Sequence, residues 1–86
     1  METSEKNIIQ KIQELSSEYT SKQHHLADFI INNYKEAAFM NSVQLSKAAN
    51  VSNATVIRFA SFLGYNGFNS MSHDLQTLVQ QEMSSV

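Results

Sequence analysis

Hydrophobic residues recur along this chain at intervals of three and four, the spacing that places them on one face of an α-helix. Ile8, Ile12, Leu15 and Tyr19 follow a four-three-four pattern that predicts a first helix over Asn7–Glu18, its stripe serving as core or as a dimer seam. Thr20 with Gln23 three residues on has the form of a capping box. It opens a second helix to Tyr34, with Leu26, Ala27, Phe29, Ile30 and Tyr34 as a broad buried face. Lys35 to Met40 reads as a connector of at most one helical turn, with Ala38, Phe39 and Met40 tucked beneath the domain. Asn41 with Gln44 repeats the capping-box pattern and opens a third helix, a fourth runs from Ser52 to Leu63, and Gly64 is placed to end it. After the turn residues Tyr65-Asn66-Gly67, a final helix spans 68 to 83, with Phe68, Met71, Leu75, Leu78 and Val79 at helical spacing. No stretch reads as a strand. The expected fold is all-α, a five-helix bundle forming one domain over residues 1–83, with 84–86 frayed.

The third and fourth helices carry the chemistry. From Leu45 to Phe59 the chain reads as two short helices joined by a tight turn, a helix-turn-helix of the homeodomain-like kind, whose second helix enters the DNA major groove. Leu45, Ala48 and Ala49 form an apolar face on the first of these helices, Asn50 takes the left-handed conformation of the turn, Val51 plugs the corner and Ser52 caps the second. At roughly 100° per residue, Val56, Phe59, Ala60 and Leu63 fall on one side of that helix, and Asn53, Ala54, Ile57, Arg58 and Ser61 on the other. The second set suits base edges: Arg pairs bidentately with guanine, Asn with adenine, and Ala or Ile can meet a thymine methyl. Ile57 leaves a choice between a methyl group and a protein surface.

Val51-Ser-Asn-Ala-Thr-Val-Ile-Arg-Phe59, followed by Phe62-Leu-Gly-Tyr-Asn-Gly-Phe68, closely resembles the N-terminal domain of the RpiR (MurR/RpiR) family of bacterial transcription regulators. In that family a Val-Ser-x-x-Thr-Val-x-Arg-Phe recognition helix leads into a Leu-Gly-aromatic-x-Gly-Phe turn and a final helix. The likeness runs from Ile8 to Gln80, weakly in the first half and specifically in the second. It implies regulation of sugar or amino-sugar catabolism, with a C-terminal sugar isomerase (SIS) domain that binds a phosphosugar effector and drives dimerisation. That domain is absent from these 86 residues. The chain is therefore expected to be an isolated N-terminal domain or a stand-alone relative, with effector sensing located elsewhere. It departs from the family where further basic residues often follow the Arg-Phe pair and occupy the final helix; here stand Ser61-Phe62 and Ser70-Met71-Ser72.

Charge refines this picture. Six Lys and Arg against eight Asp and Glu give a net −2, although phosphate binding favours a basic face. Placement matters more than the sum. Glu2, Glu5, Glu14 and Glu18 crowd the first helix region, whereas from Ser42 to His73 the only formal charges are Lys47 and Arg58, both positive. One domain is expected to release few counterions and to bind DNA weakly. With no Cys there is neither a disulfide framework nor a thiolate metal site, and His24, His25 and His73 lack zinc-site spacing. No apolar run approaches the roughly 18 to 20 residues of a membrane span. A soluble, cytoplasmic protein without metal or cofactor is expected. No glycine-rich phosphate loop or persuasive acid–base constellation supports an enzyme.

The expected DNA-contacting residues are Ser52, Asn53, Ala54, Thr55, Arg58 and Ser61 on and before the recognition helix, with Lys47, Ser42 and Gln44 on the helix before it reaching phosphates. Arg58, the chain's only arginine, leads. Its alternative is a solvated side chain or an intramolecular pair. Ser52 is a helix cap whatever else it does, and Thr55 can simply bond the backbone. The expected partner is double-stranded DNA with a palindromic operator, bound by a homodimer. The rival function is a protein-interaction or dimerisation module that keeps the fold but uses its acidic, aromatic-bearing N-terminal helices.

Overall fold

Four of the helices begin at a polar residue whose side chain closes the first turn, so local sequence sets their starts. The computed structural model describes residues 6–83; the expected frayed end at 84–86 lies outside them. Asn7, Thr20 and Asn41 each accept from the backbone N–H three residues on, where Gln10, Gln23 and Gln44 reach back to the cap's own N–H. These capping boxes open α1 (Ile8–Glu14), α2 (Ser21–Asn32) and α4 (Ser42–Ala49). Ser52 caps α5 (Asn53–Phe62), while α3 (Tyr34–Ala37) and α6 (Phe68–Met83) complete the bundle. A short 3-10 turn, Ser16–Glu18, follows α1. There is no strand among the described residues.

The architecture is the expected all-α bundle, with six α-helices among the described residues rather than five. The extra one arises at Asn33, whose φ of −138° and ψ of 35° interrupt the second helix. The Asn33 side chain donates to the Phe29 carbonyl, so the interruption is hydrogen-bonded. The four residues beyond it, inside the expected connector and last turn of the second helix, form α3. The first helix also stops earlier than its stripe predicts. Leu15 leaves helical geometry, and Tyr19, on extended backbone, sends its hydroxyl back to the Ile12 carbonyl at 2.7 Å.

The core lies where α1, α2, α4, α5 and α6 meet: Ile8, Ile12, Leu26, Ile30, Leu45, Val56, Phe59, Met71 and Leu75 are all essentially inaccessible. The stripe Ile8, Ile12 and Tyr19 belongs to this core, with Leu15 packed at its edge, so it is not a free seam. Two further expectations need correction. Phe39 is 65 % exposed instead of tucked beneath the domain, while its neighbour Ala38 is fully buried. On α4, Ala48 is exposed and Ser46 takes the inward position. Ser46 can face the core because its hydroxyl donates to the Val43 carbonyl at 2.7 Å, leaving no polar atom unpaired.

Polar links tie the helices where the chain is not locally closed. Ser72 and Gln76 of α6 both donate to the Ala38 carbonyl, at 3.2 and 2.9 Å, docking the end of α3 onto α6. Tyr34 donates to Glu82, and Tyr65 to Asp74, with Lys11 of α1 lying 4.9 Å above the Tyr65 ring. Burial, then the hydrogen bond and the negative charge of Asp74, hold the Tyr65 phenol well above its ordinary value.

Candidate nucleic-acid interface

The angle between α4 and α5 is set by backbone chemistry at one residue. Asn50 adopts φ 60° and ψ 46°, the left-handed conformation, and its N–H bonds to the Lys47 carbonyl while the Val51 N–H bonds to that of Ser46. This is a Schellman closure, which reverses the chain within one residue and satisfies two carbonyls at the end of α4. Val51 then packs against the core at the corner. The far end of α5 closes in the same way: Gly64, at φ 99°, bonds to Ser61 and Tyr65 to Ala60. Here glycine is required, because other side chains meet the backbone at that dihedral.

With both ends fixed, the packed side of α5 determines which residues face outward. Val56, Phe59 and Ala60 are fully buried, and the Tyr19 ring lies 5.3 Å from that of Phe59 and 5.9 Å from that of Phe62. The same burial pushes the Tyr19 phenol up to about 12. Asn53, Ala54, Ile57, Arg58 and Ser61 are all exposed, as the periodicity predicts. None of them makes a side-chain hydrogen bond or ion pair within the described residues. Arg58 therefore has no intramolecular partner there.

At the start of α5 the Ser52 hydroxyl accepts from the Thr55 N–H at 3.0 Å and shares a second bond with the Thr55 hydroxyl at 2.9 Å. Both residues expected to touch DNA therefore also hold the first turn. Asn53 and Ala54, the first two residues of the helix, keep backbone N–H groups that no intrahelical carbonyl can reach.

The three expected residues on α4 are dispersed. Lys47 is exposed in the last turn, directly before the Asn50 corner. Gln44 is exposed, but its side-chain oxygen is engaged with the Asn41 N–H at 2.9 Å, which leaves its amide nitrogen for any partner. Ser42 is half-buried at the opposite end of the helix. Five residues at about 1.5 Å rise put it roughly 7.5 Å along the axis from Lys47. Ala48, which sequence reasoning placed in the core, instead joins Lys47 on the exposed side of the last turn. The capacity of Ser46 to satisfy its own hydroxyl was the signal for that exchange.

Comparison with known proteins agrees with this geometry. The crystal structure of the N-terminal domain of ybbH, a candidate transcriptional regulator from Bacillus subtilis subsp. subtilis str. 168, superposes with a TM-score of 0.75 at 28 % sequence identity. The match covers 79 % of this chain and 83 % of that one. The model of the rpiR-family helix-turn-helix domain matches residues 6–85, the whole bundle described above. The match spans nearly all the described residues, including the two helices on either side of the Asn50 corner, and this chain belongs to the rpiR family of helix-turn-helix domains.

Proposed function

We propose that this chain is the sequence-specific DNA-binding domain of a bacterial transcriptional regulator, with α5 seated in the major groove. The observation that carries this reading is the outward face of α5. An amide, a guanidinium, a hydroxyl and small apolar groups stand there with no side-chain partner among the described residues, on a helix whose other side is locked into the core. Asn53 and Arg58 read base edges, Ala54 and Ser61 allow close approach, and Ser52 and Thr55 hold the first turn against a phosphate. Lys47 adds a phosphate contact from α4, with Gln44 and Ser42 as lesser ones. In this cytoplasmic regulator of sugar or phosphosugar metabolism, two copies occupy a palindromic operator. A phosphosugar effector acts through a sugar isomerase domain outside these 86 residues. The domain itself performs no catalysis.

The test is selection from a pool of random duplexes at low salt by the wild type and by Arg58→Ala, followed by sequencing of the retained DNA. A palindrome retained by the wild type and lost with Arg58→Ala supports the reading; no enrichment overturns it. The second reading, a protein-interaction or dimerisation module, is favoured by Phe39 and Val43, which are 65 % and 48 % exposed. Association through such a surface survives added salt, whereas DNA binding weakens steeply.

A further inference from the structure

Ile57 is the one large apolar side chain on the outward face of α5, 40 % exposed among polar neighbours. At roughly 100° per residue, Ala54 and Ser61 lie at the centre of that face, Asn53 and Ile57 along one flank and Arg58 along the other. Ala54 and Ile57 are three residues apart and so are surface neighbours, about 5–6 Å between β-carbons. Together they make an apolar spot the size of a few methyl groups. The other exposed apolar residue on α5, Phe62, is about 140° around the helix from Ile57, and its ring leans on Tyr19.

The spot alone is too small for a protein interface, which needs about 800 Å² per partner. It is of the right size for the one apolar group the major groove presents, the 5-methyl of thymine. Resting on the DNA-binding reading above, we infer that Ile57, with Ala54 beside it, is a specificity-determining residue that reads a thymine methyl in each half-site. Arg58 supplies the only guanidinium of the chain, so each copy brings one arginine to a guanine. Asn53 favours adenine. The half-site therefore combines a guanine and an adenine contact with a required thymine in the same few base pairs.

The experiment takes the duplex enriched by the wild-type chain and replaces each half-site thymine in turn by deoxyuridine, which removes the methyl and leaves pairing intact. Wild type is expected to lose about fourfold in affinity at one thymine, the effect of one buried methyl-sized group. Ile57→Ala is expected to bind the thymine and uracil duplexes equally, while Ile57→Val, which keeps a branched apolar surface, retains the discrimination. Circular dichroism checks that both variants are folded. An enriched duplex whose every thymine can be replaced without loss overturns the inference alone, as does an Ile57→Ala variant that discriminates like the wild type. A pool with no enriched duplex overturns the DNA reading and the inference with it.

Discussion

Replacing Phe59 by alanine removes a phenyl ring from the point where α5 meets the rest of the domain. Phe59 is fully inaccessible, and its ring packs at 5.3 Å from that of Tyr19, the residue that joins the end of α1 to the start of α2. Truncating such a side chain costs about 3–5 kcal/mol, because the lost transfer energy adds to the cavity left behind. A chain of 86 residues has a total stability of about 4–13 kcal/mol at typical values per residue. The variant therefore sits near the edge of folding. At roughly 4–8 °C per kcal/mol for a domain of this size, the melting midpoint falls by at least about 12 °C. Ile57→Ala, two positions earlier on the exposed side, is the control and changes stability by no more than about 0.5 kcal/mol. Urea unfolding followed by far-ultraviolet circular dichroism measures both. A Phe59→Ala loss below about 1 kcal/mol, with the denaturant slope unchanged, would refute the packing of α5 described above.

Other substitutions probe the corner, the phenols and the charge. Asn50→Gly is expected to stay within about 0.5 kcal/mol of wild type in urea unfolding, since glycine accepts the left-handed conformation; Asn50→Val costs about 1–2 kcal/mol. Equal stability of the two variants would remove the corner's dependence on that dihedral. The Tyr19 phenol has an ordinary pKa near 10 and is pushed up to about 12 on folding, and that of Tyr65 shifts in the same direction. Folding therefore favours the neutral phenols: the contribution of Tyr19 is complete below pH 10 and is lost as pH rises towards 12. Phenolate absorbance should rise together with loss of helix over that range, and Tyr19→Phe should flatten the transition. For DNA, Lys47→Ala should reduce the slope of log affinity against log salt by about one, read by anisotropy titration, while leaving base preference unchanged.

Where local sequence closes a structure, the sequence was legible. Two of the three capping boxes, the Ser52 cap, the Asn50 corner and the Gly64 stop each depend on a few consecutive residues, and all are found at the predicted positions. The Asn7–Gln10 box has the same signature but was absorbed into the first helix. The α5 faces were also legible, because ten helical residues with a clean period leave little choice of orientation. What escaped depends on contacts distant in sequence or on self-satisfied polar groups. Tyr19 keeps the apolar period of α1 yet sits beyond the helix, reached through its bond to the Ile12 carbonyl. Ala38 is held by Ser72 and Gln76, residues more than thirty positions away, and its burial leaves Phe39 facing solvent. No periodicity of the segment itself carries that information. Of the nine expected DNA contacts, the six at α5 share one element, while the α4 group is dispersed because a helix spreads Ser42, Gln44 and Lys47 along and around its axis.

The matched closures at Asn50 and Gly64 give α5 the character of a replaceable cassette. Its boundaries are fixed by backbone hydrogen bonds and its inner side by Val56, Phe59 and Ala60. Positions 53, 54, 57, 58 and 61 contribute no side-chain bond to the frame within the described residues. On the proposed DNA-binding reading, base readout falls to this outer set, while Ser52 and Thr55 also hold the first turn of the helix. Exchanging the outer set for good helix-forming residues therefore costs the fold little, and the surface of α5 can be rewritten without passing through an unfolded intermediate.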